Sequence, residues 1–135
     1  MAETRGIRNN NPFNIKRGSS RWLGKVPHQD NTDDLFEQFT DIDYGLRAGI
    51  ILLRNYIRQG DNTYRKIITR FAPSCENNVD AYLNFVSNKL CFNLDLPFSY
   101  KSLYFWNLVN RICMYESKFV LSYKHYKTIL QKYYL

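Results

Sequence analysis

Cysteine is scarce in this chain. Cys75, Cys91 and Cys113 make an odd number with no close pairing and no CxxC spacing, a pattern that argues against both a disulfide framework and a zinc site and suits a reducing site of synthesis. Long hydrophobic runs are missing as well. The longest apolar stretches, such as Gly49 to Leu53, fall far short of the roughly 20 residues that a membrane-spanning helix needs. The first twenty residues place Arg5, Arg8, Lys16 and Arg17 among polar groups, with no apolar core and no small-residue cleavage site, so no signal peptide is expected. Internal repeats, low-complexity tracts and linkers rich in Gly, Ser or Pro are also absent. The expectation is one domain over residues 1–135.

What is present is apolar content sufficient for a core, 44% of 135 residues, and a strong basic excess, with a net charge of +7 and a pI near 9.4. The charge implies an anionic partner: nucleic acid, an anionic membrane surface or an acidic polymer of a cell wall. From Ser99 onward six basic residues (Lys101, Arg111, Lys118, Lys124, Lys127, Lys132) surround one acid, Glu116.

Residues 1–40 are polar and loop-rich, punctuated by Pro12, Gly18, Gly24 and Pro27. They are expected to form a small irregular sheet or β-hairpin, with Phe13–Lys16 and Leu35–Phe39 as strands. Residues 41–135 change to helical spacing. Leu46, Ile50, Leu53, Tyr56 and Ile57 predict a helix from Asp41 that stops at Gly60, and Tyr64, Ile67, Ile68 and Phe71 predict a second that ends before Pro73. A third should start near Asn77 or Asn78 and carry Val79, Tyr82, Leu83, Val86 and Leu90. A fourth, capped by Ser99, should carry Leu103, Trp106, Val109 and Cys113 on one stripe, and Ser122 should cap a short last helix. The fold class expected is α+β, a small N-terminal β-hairpin followed by four or five helices.

Cleaving a glycosidic bond requires a carboxylic acid kept protonated near neutral pH, and burial is one way to raise its pKa. Counted from Trp106, the stripe through Val109 and Cys113 reaches Glu116 at the tenth position, which puts an acid on the core-facing line. A glutamate there can equally swing out to solvent or pair with Arg111 or Lys118. Glu76 precedes the third helix, where a negative charge complements the helix N-terminus. Glu37 belongs to the acidic run Asp30, Asp33, Asp34 and Glu37, which reads either as a solvated face or as the source of a second carboxylate. The amides of Asn9, Asn10, Asn11 and Asn14 suit turns around Pro12 and also suit sugar hydroxyl and acetamido groups. Eleven tyrosines and two tryptophans suit sugar stacking, but most of them fall at core spacing. Nucleic-acid binding has less support, because the basic residues are dispersed and no zinc finger or RRM-type signature is visible.

Three segments, Arg5-Gly6-Ile7-Arg8-Asn9-Asn10-Asn11-Pro12-Phe13-Asn14-Ile15, Trp22-Leu23-Gly24 and Phe36-Glu37-Gln38-Phe39, resemble a family of phage and prophage virion proteins related to lytic enzymes. So do Tyr44-Gly45-Leu46-Arg47-Ala48, Phe71 to Asn78 with Tyr82, and Tyr115-Glu116-Ser117. The family usually has Gly at the place of Phe13 and Trp at the place of Phe71. In bacterial cell-wall glucosaminidases and transglycosylases, a helix ending in a catalytic Glu precedes an Asn-rich hairpin strand. Here Glu116-Ser117 is similar to that helix end and Asn10 to Lys16 to that strand, in reversed order, as a circular permutation would give.

The resemblance implies a lysozyme-like fold and cleavage of peptidoglycan glycan strands, with Glu116 as acid/base and Glu37 as the second carboxylate of a hydrolase. It implies substrate contacts from Asn10, Asn11, Phe13, Asn14, Trp22, Glu76, Tyr82 and Ser117. No metal or organic cofactor is implied. Peptidoglycan is the expected partner and nucleic acid the unlikely one. Synthesis in the bacterial cytoplasm is expected, with action on the periplasmic wall or as a virion or secretion-system component. The alternatives are a non-catalytic component of that kind and, third, a basic nucleic-acid-binding helical domain.

Overall fold

A computed structural model describes residues 3–87 and 93–135, which contain six helices: α1 (Arg5–Arg8), α2 (Ile42–Arg58), α3 (Tyr64–Phe71), α4 (Val79–Ser87), α5 (Leu103–Ser117) and α6 (Tyr123–Lys132). Side-chain caps set most of the starts. The Asp41 carboxylate accepts from the Asp43 N–H (2.9 Å), Thr63 from Lys66 (3.1 Å), Asn78 from Ala81 (3.0 Å) and Ser122 from His125 (3.0 Å), each satisfying an amide that the first helical turn leaves open. Gly60, at φ +96°, ends the α2 region in a conformation that side chains disfavour. Leu90 and Cys91 lie outside the described residues.

The fourth helix starts later than its spacing predicts. Ser99 closes a turn, accepting from the Ser102 N–H at its carbonyl (3.0 Å), and Ser102 precedes α5. Leu103 is therefore 70% exposed rather than on the stripe, and Phe105, Leu108, Val109, Ile112 and Cys113 form the buried face. That face packs against α4, which packs on α3, while α2 carries α6 on another side.

The expected N-terminal β-hairpin is not formed, and the α+β assignment is corrected to an all-helical fold. Among the described residues, pairing is limited to two isolated antiparallel bridges, Lys16 with Phe36 and Lys25 with Phe39. The two segments do meet, through Glu37 N–H to Ile15 carbonyl (2.8 Å) and Arg17 N–H to Leu35 carbonyl (2.9 Å). No strand propagates from this contact, because Asn10 and Asn14 both sit at φ 52°, a left-handed conformation incompatible with an extended run. The buried Asn11 amide meanwhile takes up the groups a ladder would pair. It donates to the carbonyls of Ile15 (3.0 Å) and Glu37 (2.9 Å) and accepts from the Ile15 N–H (3.0 Å), the side-chain competition that asparagine exerts on regular structure. A permuted hairpin enzyme requires the hairpin, and that expectation falls with it.

One buttress holds this irregular segment. Asp33 accepts from Arg5 Nε (2.6 Å) and Nη2 (2.8 Å), from Asn9 Nδ2 (2.9 Å) and from the backbone N–H groups of Leu35 and Phe36 (2.9 Å each). The Arg5 guanidinium, helped by these other donors, holds the Asp33 carboxyl far below its ordinary range. A depressed folded-state pKa contributes stability that is present above the unfolded value, 3.8, and is lost as pH falls below it. Asp33→Asn is expected to cost on the order of 2 kcal/mol near neutral pH and to flatten the acid limb of a melting-temperature profile. An acid limb of unchanged steepness would assign that sensitivity elsewhere.

Candidate active site

The last turn of α5 is clamped to the N-terminal segment. Ser117, fully buried, donates its hydroxyl to the Pro12 carbonyl (2.9 Å), and its own carbonyl accepts from Thr4 Oγ1 (2.6 Å). This clamp brings Asn14, turned by its left-handed backbone, against the preceding residue. Asn14 Nδ2 donates both to the Glu116 carbonyl (3.1 Å) and to Glu116 Oε1 (3.1 Å). From α4 the buried Tyr82 donates its hydroxyl to Glu116 Oε2 (2.7 Å) while its ring stacks on Tyr115 with centroids 3.8 Å apart. Three elements distant in sequence thus meet at one carboxyl group.

Burial pushes the Glu116 pKa up, and the hydrogen bonds from Tyr82 and Asn14 offset part of that rise. The outcome is a carboxyl that keeps its proton above the usual range yet has donors ready to hold the ionised form. The Tyr82 phenol is pushed well up, first by burial and then by the adjacent Glu116, so it stays a donor. The same two causes raise the Cys113 thiol, which leaves it a small unreactive core residue.

Glu116 lines a groove of about 660 Å³ between the N-terminal segment and α2, α3 and the link that follows α3. Phe13, with no exposed surface, lines it and packs edge-to-face on Phe71 at 6.4 Å. Lys16 and Glu76 come from its two sides and form an ion pair. Arg70 stacks over the Tyr56 ring at 3.9 Å beside them. Asn14 Oδ1 is buried with no hydrogen-bond partner among the described residues.

The sequence-derived site residues divide cleanly. Asn14, Tyr82 and Glu116 converge, and Phe13 and Glu76 line the same groove. Glu37 does not. Its wholly buried carboxylate binds Lys25 Nζ (2.9 Å), the Gly18 N–H (3.1 Å) and His28 Nε2 (3.0 Å), and Asp30, Asp33 and Asp34 do not line the groove either. Asn10 donates to the Phe39 carbonyl (3.0 Å), Asn11 and Ser117 serve the backbone as described, and the half-buried Trp22 packs against the core. Lys16 and Arg70 were not singled out as site residues, because in the sequence each is one of many dispersed cations.

Fold and site together define a small helical protein with a part-buried, hydrogen-bonded carboxyl in a groove. Over 89 residues, 63% of its length, the chain is 45% identical to Protein P5 of Pseudoalteromonas phage PM2. The match covers 54% of that protein, so the chain spans about half the length of this relative. No family model matches the chain. The likeness supports a phage origin. It does not support the lysozyme-like family expected from the motifs.

Proposed function

We propose that this chain cuts the glycan strands of peptidoglycan, with Glu116 as the acid and then the base. The observation that carries this reading is the Glu116 carboxyl, raised in pKa by burial, open to a groove and held between Tyr82 and Asn14. Protonated Glu116 gives its proton to the glycosidic oxygen as the bond to the anomeric carbon breaks. The resulting carboxylate, held by the Tyr82 hydroxyl and the Asn14 amide, then takes the proton from a hydroxyl of the same sugar as that oxygen closes on the anomeric carbon.

This single-carboxylate route, that of a lytic transglycosylase, accords with the engagement of Glu37 by Lys25 and His28 away from the groove. Inverting hydrolysis requires a second carboxylate to activate water, and Glu76 is the acid that shares the groove with Glu116. Digestion of purified sacculi followed by mass spectrometry is expected to show anhydro-muramic ends. Reducing ends alone would replace this route with hydrolysis, and Glu76→Gln would then cost on the order of 100-fold in rate.

The second reading is a non-catalytic component of a phage particle that binds wall or protein, and the observation favouring it is the likeness to a phage protein. Sacculi that bind the chain and release no fragments would establish it. In the first reading the site of action is the bacterial cell wall; in both the chain is carried as part of a phage particle.

A further inference from the structure

A second concave site lies at the opposite end of α5 from Glu116. Trp106 and Glu116 are ten residues apart on one helix, about 15 Å along its axis. The site has a volume of about 390 Å³ and is built from α2, the link before α5, α5 itself and α6. It adjoins a shallower depression of about 760 Å³, with which it shares Ser102, Leu103, Trp106 and Tyr123.

Two kinds of side chain dominate the first of these spaces. Arg54, Lys101 and Lys127 supply positive charge from three separate elements, and no Asp or Glu side chain lines either depression. Arg54 lies 4.1 Å over the Tyr100 ring, and its Nε is buried with no hydrogen-bond partner among the described residues. Arg54, first by a hydrogen bond and then by its charge, lowers the Tyr100 phenol pKa, with smaller contributions from the charges of Lys101 and Arg58. The second kind is aromatic. Trp106 packs edge-on to Tyr123 at 5.3 Å and tilted against Tyr126 at 4.9 Å, which leaves Tyr123 47% exposed.

Charge complementarity selects an anion, and the exposed rings select one that carries flat rings of its own. A neutral glycan fits poorly, because reading sugar hydroxyls calls for amide or carboxylate side chains. Asn107, the amide that lines the shallower depression, donates its N–H groups to Tyr64 and to the Val86 carbonyl. We propose that this site binds single-stranded nucleic acid, stacking a base on the exposed Tyr123 ring with the half-buried Trp106 beside it, while Arg54, Lys101 and Lys127 neutralise phosphates. The sequence showed only dispersed cations; the fold gathers residues 54, 101 and 127 around one set of rings. The inference does not depend on the Glu116 reading.

The test is fluorescence anisotropy of fluorescein-labelled dT12 titrated with the full chain at several salt concentrations. The wild type is expected to bind at low salt and to weaken steadily as salt rises. Tyr123→Ala should weaken binding about fivefold or more, as the loss of one stacking platform does. Lys101→Gln with Lys127→Gln should lower the salt slope by roughly 1.4, two phosphate contacts on a single strand. Arg21→Gln with Lys66→Gln, an equal charge change on exposed residues that line neither depression, should leave most of the binding intact. Glu116→Gln should bind as the wild type does, which separates this site from the groove. The lysine pair reads the proposal independently of Tyr123 should that variant fold poorly. No binding at low salt, an equal loss in the Arg21 and Lys66 control, or capture by phosphatidylglycerol vesicles with no affinity for dT12 would overturn it.

Discussion

Glu116→Gln is expected to lower fragment release from sacculi by at least about 100-fold, the contribution of a general acid placed at the bond it protonates, while the protein melts at the same temperature or higher. An amide fills the same space and can still hydrogen-bond Tyr82 and Asn14, but it has no proton to transfer at neutral pH. The stability half of the prediction has a definite sign. Burial raises the folded-state pKa of Glu116 above its ordinary value of 4.5, so over that interval the folded state holds more proton than the unfolded state. Stability from this group is then greatest below 4.5 and falls as pH rises through the raised value. The melting-temperature advantage of Glu116→Gln should be small in acid and grow towards neutrality. Tyr82→Phe supplies a second reading of the same chemistry. Removing the phenol donor leaves the ionised carboxylate less well held, so the Glu116 pKa rises further and the alkaline limb of the activity profile moves to higher pH. Wild-type turnover in Glu116→Gln would remove this residue from the chemistry.

The largest stability effect is expected at Gly45. Gly45 and Gly49 lie one turn apart on α2, both fully enclosed. A Cβ at Gly49 would overlap the Phe13 ring, and one at Gly45 would overlap the Asn10 carbonyl oxygen. Alanine inside a helix normally gains about 1 kcal/mol over glycine, but here overpacking costs about 1–3 kcal/mol or more. The two positions differ in what can yield. Phe13 is a side chain that can shift with the Phe71 contact, whereas Asn10 is backbone in a left-handed turn whose own amide is tied to Phe39. Gly45→Ala is therefore expected to destabilise by more than Gly49→Ala, on the order of 3 kcal/mol net, in chemical denaturation. It should also reduce cleavage of sacculi, because the displaced segment carries Asn14 to Glu116. Equal stability of Gly45→Ala and wild type would show that the N-terminal segment does not rest on α2 as described.

The helical half was legible because its cause is local. Ser122 caps the last helix where its side chain and the following apolar spacing indicated, and the helices predicted from Asp41 to Gly60 and up to Pro73 form within two residues of those bounds. Leu46, Ile50, Leu53, Ile67 and Ile68 are buried at the spacing that announced them. Glu116 followed from the same periodicity, since a stripe that buries Val109 and Cys113 leaves the tenth position half inside. The first forty residues misled for an equally physical reason. Phe13–Lys16 and Leu35–Phe39 have strand composition and do approach one another, but whether two segments propagate a ladder depends on φ at Asn10 and Asn14 and on where the Asn11 amide points. Those choices are settled by contacts such as Asn11 with Glu37, Asn10 with Phe39 and Asn14 with Glu116, 26, 29 and 102 positions away.

Composition, caps and apolar spacing by themselves determined a single chain of helices from residue 41, a basic surface and one acid on a core-facing line, because each depends on neighbours within a turn or two. Only the tertiary structure decided that Asn14, Tyr82 and Glu116 share a carboxyl-centred site, that Glu37 belongs to Lys25 and His28, and that Arg54, Lys101 and Lys127 surround one cluster of rings. Burial, electric field and hydrogen-bond partnership are properties of what lies within a few ångströms in space, and for these residues that neighbourhood is assembled from segments that the chain order keeps apart, up to 102 positions between Asn14 and Glu116.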